Sequence, residues 1–323
     1  MKRLFNISLS LLALALCASC ESGSKHSSSA CPEATKGNSI YHWKGTFDLD
    51  STEIDFIHKH QIERLYLRMF DVATEQNYEL GGLDIVPIAT TKFISDIPDN
   101  VEIVPVTYIT IGALRAITDK EEEYAYLISE RLLAMSSYNN CGTIREVQLD
   151  CDWTKSTKDT YTKLCQTVKN ELKSQNIDLS ITVRLHQLNE TPPPADRGVL
   201  MLYNTGAIKN PATKNSILDI ADAKPYLRKT KYPIPLDYAY PAFGWGVKFE
   251  YNEFACIVSE NDSTSEACTK IRYERPTSAE IIEIKQLVEK KIGKPNRGNI
   301  LYHLDDSQLK NYTDDEISTI LSI

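Results

Sequence analysis

The chain has 323 residues and a net charge of −8, from Lys+Arg 36 against Asp+Glu 44. That length suits one large domain or two small ones, and 42% hydrophobic residues can fill a sizeable core. The acidic balance argues against nucleic acid as a partner, because proteins that grip a phosphate backbone present a basic surface.

Residues 1–20, MKRLFNISLSLLALALCASC, carry Lys2 and Arg3, then an apolar run, then small residues. This is the order of a secretory signal peptide, and the run is too short to span a bilayer comfortably. Its end, Ala18-Ser19-Cys20, resembles a bacterial lipobox, in which the cysteine is lipidated and becomes the mature N-terminus; Cys17 stands where Leu is usual. The expected organisation is a lipoprotein signal peptide over 1–19, a flexible tether over 20–37 and one folded domain over 38–323. Lipidation at Cys20 implies a membrane-attached protein of the cell envelope, expected at the outer membrane on its periplasmic or surface face. The oligomeric state stays open.

An envelope is oxidising and permits disulfides. Cys256 and Cys268 flank the polar loop IVSENDSTSEA and are the expected pair, whereas Cys151 and Cys165 lie on apolar faces and read as buried thiols. The pairing of Cys31, Cys141, Cys151 and Cys165 is left open.

From about residue 39, strand patterns alternate with helical ones. SIYHWKGTF, RLYLRMFDV, EIVPVTYIT, REVQLDCDW, DLSITVRLHQL, GVLMLYNTG, PIPLDYAYP and NILYHLDD read as strands. A helix is predicted from about Glu121 to Ser136, with Tyr124, Leu127, Ile128, Leu132 and Met135 on one face. A second starts at Ser156 or Thr157 and carries Tyr161, Leu164, Cys165, Val168 and Leu172. A third follows Pro276 and Thr277, and Thr313 caps a final short one. Strands separated by crossovers in this number predict a single α/β domain, a (β/α)8 TIM barrel. The rival, an open doubly wound sheet, usually has a glycine-rich phosphate turn after its first strand, and HWKGTF has none.

Side chains alternate along a strand. In the fourth strand Val147, Leu149, Cys151 and Trp153 share one face, and Gln148, Asp150 and Asp152 the other. In the fifth, Leu179, Ile181, Val183 and Leu185 oppose Ser180, Thr182, Arg184 and His186. With helices covering the apolar faces, the polar faces point into the barrel. Barrel sites sit at the C-terminal ends of the strands. The candidates there are Trp43 and Lys44; Arg68 and Asp71; Asp150, Asp152 and Trp153; Arg184, His186 and Gln187; Tyr203 and Asn204; Asp237, Tyr238 and Tyr240; and His303, Asp305 and Asp306. Arg184 beside two aspartates would hold one ionised and leave its neighbour able to carry a proton, the division that acid–base catalysis uses. A structural ion-pair network would use the same residue types. Aromatics beside acids and amides, including Trp245 and Phe243, suit carbohydrate, whose ring faces stack and whose hydroxyls hydrogen-bond.

The stretch LDCDWT resembles the fourth-strand signature of chitinase-like family 18 glycoside hydrolases, an acidic run of the form Asp-x-Asp-x-Glu, through Asp150 and Asp152. MLYNTG is similar to that family's sixth-strand Met-x-Tyr-Asp/Asn through Met201, Tyr203 and Asn204. The family's catalytic acid is the final Glu, and this chain has Thr154 there. The whole layout also resembles a group of envelope lipoproteins of the Bacteroidota, over nearly the full mature chain, which implies no particular activity.

The expected function is a lipid-anchored, glycoside hydrolase-like barrel that hydrolyses or binds a glycan. Asp152 is the expected acid/base, with Asp150 or Asp237 as second carboxylate and Arg184 and His186 tuning or orienting them. Trp43, Arg68, Tyr203, Asn204, Tyr238, Tyr240, Trp245, His303 and Asp305 are expected to contact sugar. The alternative is a non-catalytic carbohydrate-binding or structural envelope protein. His186, His303, Asp150, Asp152 and Asp305 have the donor types of a mixed nitrogen–oxygen metal site, but no tight ligand spacing supports one. No serine elbow, P-loop or dinucleotide fingerprint is visible, and no metal or cofactor is expected.

Overall fold

The computed structural model describes residues 36–323 apart from 80, 229–230 and 265–267; the expected signal peptide, Cys20 and most of the expected tether lie outside the described residues. All eight expected strands form: β1 (Asn38–His42), β2 (Ile62–Asn77), β3 (Glu102–Ile109), β4 (Glu146–Asp150), β5 (Asp178–Val183), β6 (Arg197–Met201), β7 (Leu236–Pro241) and β8 (Asn299–Tyr302). Each pairs in parallel with the next. β1 also pairs with β8, Ile40 opposite Leu301, so the sheet closes into a (β/α)8 barrel and the open-sheet alternative falls. β2 runs beyond the barrel, where a hairpin strand, Gly82–Ile88, pairs with it antiparallel.

The helices follow their caps. Lys158–Lys173 begins after Thr157, whose hydroxyl is not engaged in capping the helix; it accepts from the Thr154 amide. Ser278–Lys291 and Asp314–Leu321 open with reciprocal capping boxes, Thr277 with Glu280 and Thr313 with Glu316. Glu121–Tyr138 ends two residues past its predicted limit.

Strand alternation creates two cores. The outer faces of β4 and its extension, Val147, Leu149, Cys151 and Trp153, pack with Tyr161, Leu164, Cys165 and Val168 of the covering helix. The inner core is smaller: Tyr41, Tyr66, Val104, Val106, Val199, Met201, Ala239 and Ile300. Burial holds the Cys151 and Cys165 thiols well above their ordinary range, as inert core groups.

The N-terminal end of the barrel is plugged by ion-paired side chains. Arg297, just before β8, pairs with Glu146 and donates to the Tyr66 hydroxyl at 3.1 Å, and its backbone amide donates to Asp237 at 2.6 Å. Arg197 pairs with Asp178 at 2.6 Å.

Between β7 and helix Ser278–Lys291 the chain inserts a three-stranded antiparallel sheet, with Trp245–Glu250 between Glu253–Val258 and Thr269–Glu274. This sheet corrects the disulfide expectation: Cys256 and Cys268 are both free and exposed. Cys256 lies opposite Lys248, and Cys268 precedes Thr269, which lies opposite Glu250 from the other side. They flank the central strand on its two edges, separated sideways by about 9–10 Å of strand spacing and offset by about three residues along it, well beyond the roughly 7 Å Cα reach of a disulfide.

Candidate functional site

A groove of about 430 Å³ opens at the C-terminal ends of the strands. Its lining draws on β1, β3, β4, β5, β6 and β8 and on the inserted sheet. A second recess, of about 620 Å³, lies between helix Glu121–Tyr138 and the hairpin strand Gly82–Ile88; it is lined mainly by apolar side chains and lacks the convergent strand-end polar groups. The groove is the site candidate for that reason.

Its floor holds the acids. Asp150 is buried and accepts from the Thr182 hydroxyl at 2.6 Å and from Arg184 Nη2 at 3.2 Å. Arg184 Nε pairs with Asp152, whose other oxygen lies 3.5 Å from the Tyr108 hydroxyl. Burial raises the Asp150 carboxyl above its usual range; Arg184 opposes the shift and the Asp152 charge adds to it. The side chain of Asp152 is 42% exposed, against 5% for Asp150, so Asp152 is the acid that faces a ligand.

The wall is aromatic. Trp43 lies 5.8 Å from Tyr302, Tyr302 lies 5.0 Å from Tyr203 and 5.5 Å from Phe243, and Phe243 lies 5.3 Å from Trp245. These rings form a continuous arc around the acids. Burial pushes the Tyr108, Tyr203 and Tyr302 hydroxyls up, so they remain protonated donors at neutral pH. His303 closes the arc; burial lowers its imidazole to about 4, so it is neutral at pH 7. Asn204 holds a left-handed conformation, φ 56°, which asparagine tolerates better than most residues.

The groove gathers Trp43, Asp150, Asp152, Arg184, Tyr203, Asn204, Trp245 and His303 from the expected residues. The others lie elsewhere. Arg68 holds Asp71 beside the groove, with its guanidinium 5.7 Å over the Trp43 ring. Asp305 caps the short helix Asp306–Leu309 and accepts from the Ser307 amide at 2.9 Å.

Three placements are corrected. Asp237 points inward but sits at the start of β7, in the ion plug at the opposite end of the barrel. Tyr238 and Tyr240 face outward into the core under the helices, where the Tyr238 hydroxyl donates to the Gly293 carbonyl at 2.7 Å. His186 is exposed, because β5 stops at Val183 and a 3-10 turn, Leu185–Asn189, breaks the alternation. Its neighbour Gln187 is the useful one: its amide donates to the Trp153 carbonyl at 3.0 Å and its oxygen accepts from the Arg184 amide at 2.8 Å, tying the ends of β4 and β5 together.

Thr154 does not line the groove. It is exposed, and its hydroxyl lies 3.0 Å from that of Ser156 within the turn leading to the helix. Sequence reasoning missed Tyr108, Tyr302 and Gln308 as groove residues. Tyr108 shares the inward parity of Val104 and Val106, and Tyr302 that of Ile300, so both were accessible to the alternation argument. Gln308, on a short helix, carries no such signal. No group of three metal-binding side chains occurs among the described residues.

No protein-family model matches the chain, and no curated protein matches it in sequence. Solved structures do. The chitinase of Chromobacterium violaceum ATCC 12472 is similar at 10% identity and a TM-score of 0.51, over 85% of this chain and 98% of that one. The GH18 chitinase ChiB from the chitin utilization locus of Flavobacterium johnsoniae matches at 12% identity and a TM-score of 0.51, over 88% and 94%. The spore cortex-lytic enzyme SleL of Bacillus megaterium QM B1551 matches at 14% identity and a TM-score of 0.51, over 87% and 73%. The fold is thus a barrel distantly similar to those of family 18 glycoside hydrolases.

Proposed function

We propose that this protein binds a glycan in its strand-end groove without hydrolysing it, and that it does so tethered to the cell envelope by a lipid on Cys20. The observation that carries the reading is the combination of the aromatic arc with the state of the acids. The arc offers ring faces for stacking, and Asp152, Asn204 and Gln308 offer partners for sugar hydroxyls. Yet a hydrolase needs a carboxylic acid poised to protonate the leaving oxygen. Position 154 holds a threonine turned away from the groove, and both floor carboxylates are ion-paired to Arg184. Asp150, whose carboxyl burial raises, lies in the floor paired to Arg184 with its side chain only 5% exposed, so the site suits holding sugar rather than passing it a proton. The named relatives, two chitinases and a spore cortex-lytic enzyme, agree with a glycan as ligand.

A glycan array followed by a turnover assay on the best ligand tests this. The expected result is binding without products. Turnover that disappears in Asp152→Asn would replace the reading with a hydrolase working through Asp152. For the anchor, Cys20→Ala should remove the protein from the detergent phase; unchanged partition would refute lipidation there.

A further inference from the structure

One wall of the groove is assembled from segments distant in sequence, and a single carboxylate joins them. Glu274 ends the inserted sheet and stands directly opposite Trp245 in antiparallel register. Residues so paired project to the same face of a sheet. Glu274 is buried, 2% exposed. Its Oε2 accepts from the Trp245 indole Nε1 at 2.9 Å, from the Ser216 amide at 2.9 Å and from the Ser216 hydroxyl at 2.5 Å; its Oε1 accepts from Arg272 Nε at 2.5 Å. Arg272 compensates the buried charge and also donates to the carbonyls of Asn210 and Ile208, at 2.8 and 3.0 Å. The indole N–H is therefore satisfied within the wall, and the ring lines the groove beside Phe243. The backbone leading into it is equally confined: a side chain on Gly244 would meet the Glu260 carboxylate at 2.0 Å and the Glu274 carbonyl at 2.8 Å.

We infer that Glu274 is a positioning residue of the glycan site, holding the Trp245 indole in one orientation before ligand arrives. The inference rests on the glycan-binding reading proposed above. The physical reason is preorganisation: a stacking ring already fixed by a buried hydrogen bond loses little rotamer freedom on binding, and a free one loses more. Glu274 itself does not line the groove, so it acts only through the ring and the Ser216 loop.

A double-mutant cycle separates this role from a general effect on folding. Affinity for the best array glycan is measured by calorimetry in the wild type, Glu274→Ala, Trp245→Ala and the double variant, with melting temperature as a fold check. Glu274→Ala alone should weaken binding about tenfold, whereas in the Trp245→Ala background it should cost less than about twofold more. Glu274→Gln, which keeps an oxygen for the indole N–H, should recover most of the loss and restore the protection of the indole from acrylamide quenching. If Glu274→Ala does not fold, Glu274→Asp, whose shorter side chain draws the carboxylate back from the indole, replaces it in the same cycle with Trp245→Ala. Full-strength binding by a folded Glu274→Ala, or losses that simply add, overturns the inference and leaves the glycan site standing. A wild type that binds no glycan overturns the site and the inference with it.

Discussion

Arg184 bonds Asp152 through Nε while its Nη2 reaches Asp150, so one guanidinium holds two acids two residues apart in sequence. This answers why a buried strand ends in two carboxylates: they share a cation from the neighbouring strand, and the deeper acid gains the Thr182 hydroxyl as well. Removing the cation leaves two like charges facing each other, one of them fully desolvated. Arg184→Met should therefore destabilise the fold by about 3–5 kcal/mol. Asp152→Asn should cost about 1 kcal/mol or less, because Asp152 is half-exposed and Asp150 keeps its partner. Denaturant melts of the two variants check this ordering; equal losses would mean that the pairing does not carry the floor.

Restoring a glutamate at the position of the resemblance should not restore catalysis. Thr154 belongs to an exposed turn held by the Thr157 and Ser156 hydroxyls, so a longer side chain there points to solvent. Thr154→Glu is expected to bind glycan as the wild type does and to release no products over an overnight incubation. Appearance of reducing ends would show that this turn swings into the groove.

The ion plug at the far end of the barrel should affect stability without affecting the groove. Arg297 is 4% exposed and holds Glu146 and Asp237 together. Arg297→Ala leaves Glu146 with Arg197 at 3.5 Å and Asp237 with two backbone amides but removes the guanidinium between them, and is expected to cost about 3 kcal/mol. Where the variant remains folded, its glycan affinity should stay within about twofold of wild type, since the proposed glycan groove lies at the opposite end of the barrel. A selective loss of binding at unchanged melting temperature would contradict this division.

Acid should weaken the fold well above the carboxylate range. His42 is fully buried, and neither ring nitrogen has a hydrogen-bond partner among the described residues. Burial, with the nearby Lys44 and His303, lowers it to about 3, and burial lowers His303 to about 4. An unfolded imidazole binds its proton near 6.5. Between these values the unfolded chain holds more protons than the folded one, so stability rises with pH; it is fully present above about 6.5 and falls progressively as pH drops toward 4. From pH 7 to pH 5, His42 alone should cost about 2 kcal/mol. His42→Phe, packed against Phe47, should flatten that part of the curve. An unchanged pH slope in the variant would show that other groups carry it.

The barrel was legible in the sequence because its signals are local. Strand alternation and helix spacing depend on residues a few positions apart, and so do the caps at Thr277 and Thr313. The same alternation brought Asp150, Asp152 and Arg184 to one interior and sent Trp153 outward. It also carried the inward parity of Tyr108 and Tyr302, whose uncharged rings do not set them apart from core aromatics in sequence.

What the alternation does not contain is height. Parity tells which way a side chain points, not how far along the barrel axis it lies, and that level follows from the stagger of the closed sheet. Asp237 has the inward parity of a site residue and lies in the plug at the wrong end. Strand termination is equally non-local: β5 yields to a 3-10 turn after Val183, which releases His186 to solvent and substitutes Gln187. Sheet order placed Cys256 and Cys268 on opposite edges of one strand although only a short loop separates them in sequence. Antiparallel register set Glu274 against Trp245 and the close approach behind Gly244. The sequence by itself determined the barrel, its two faces and the chemical character of its mouth, since those follow from short-range periodicity. Only the tertiary structure decided which polar groups share the groove, because that depends on register, stagger and strand order across the whole closed sheet.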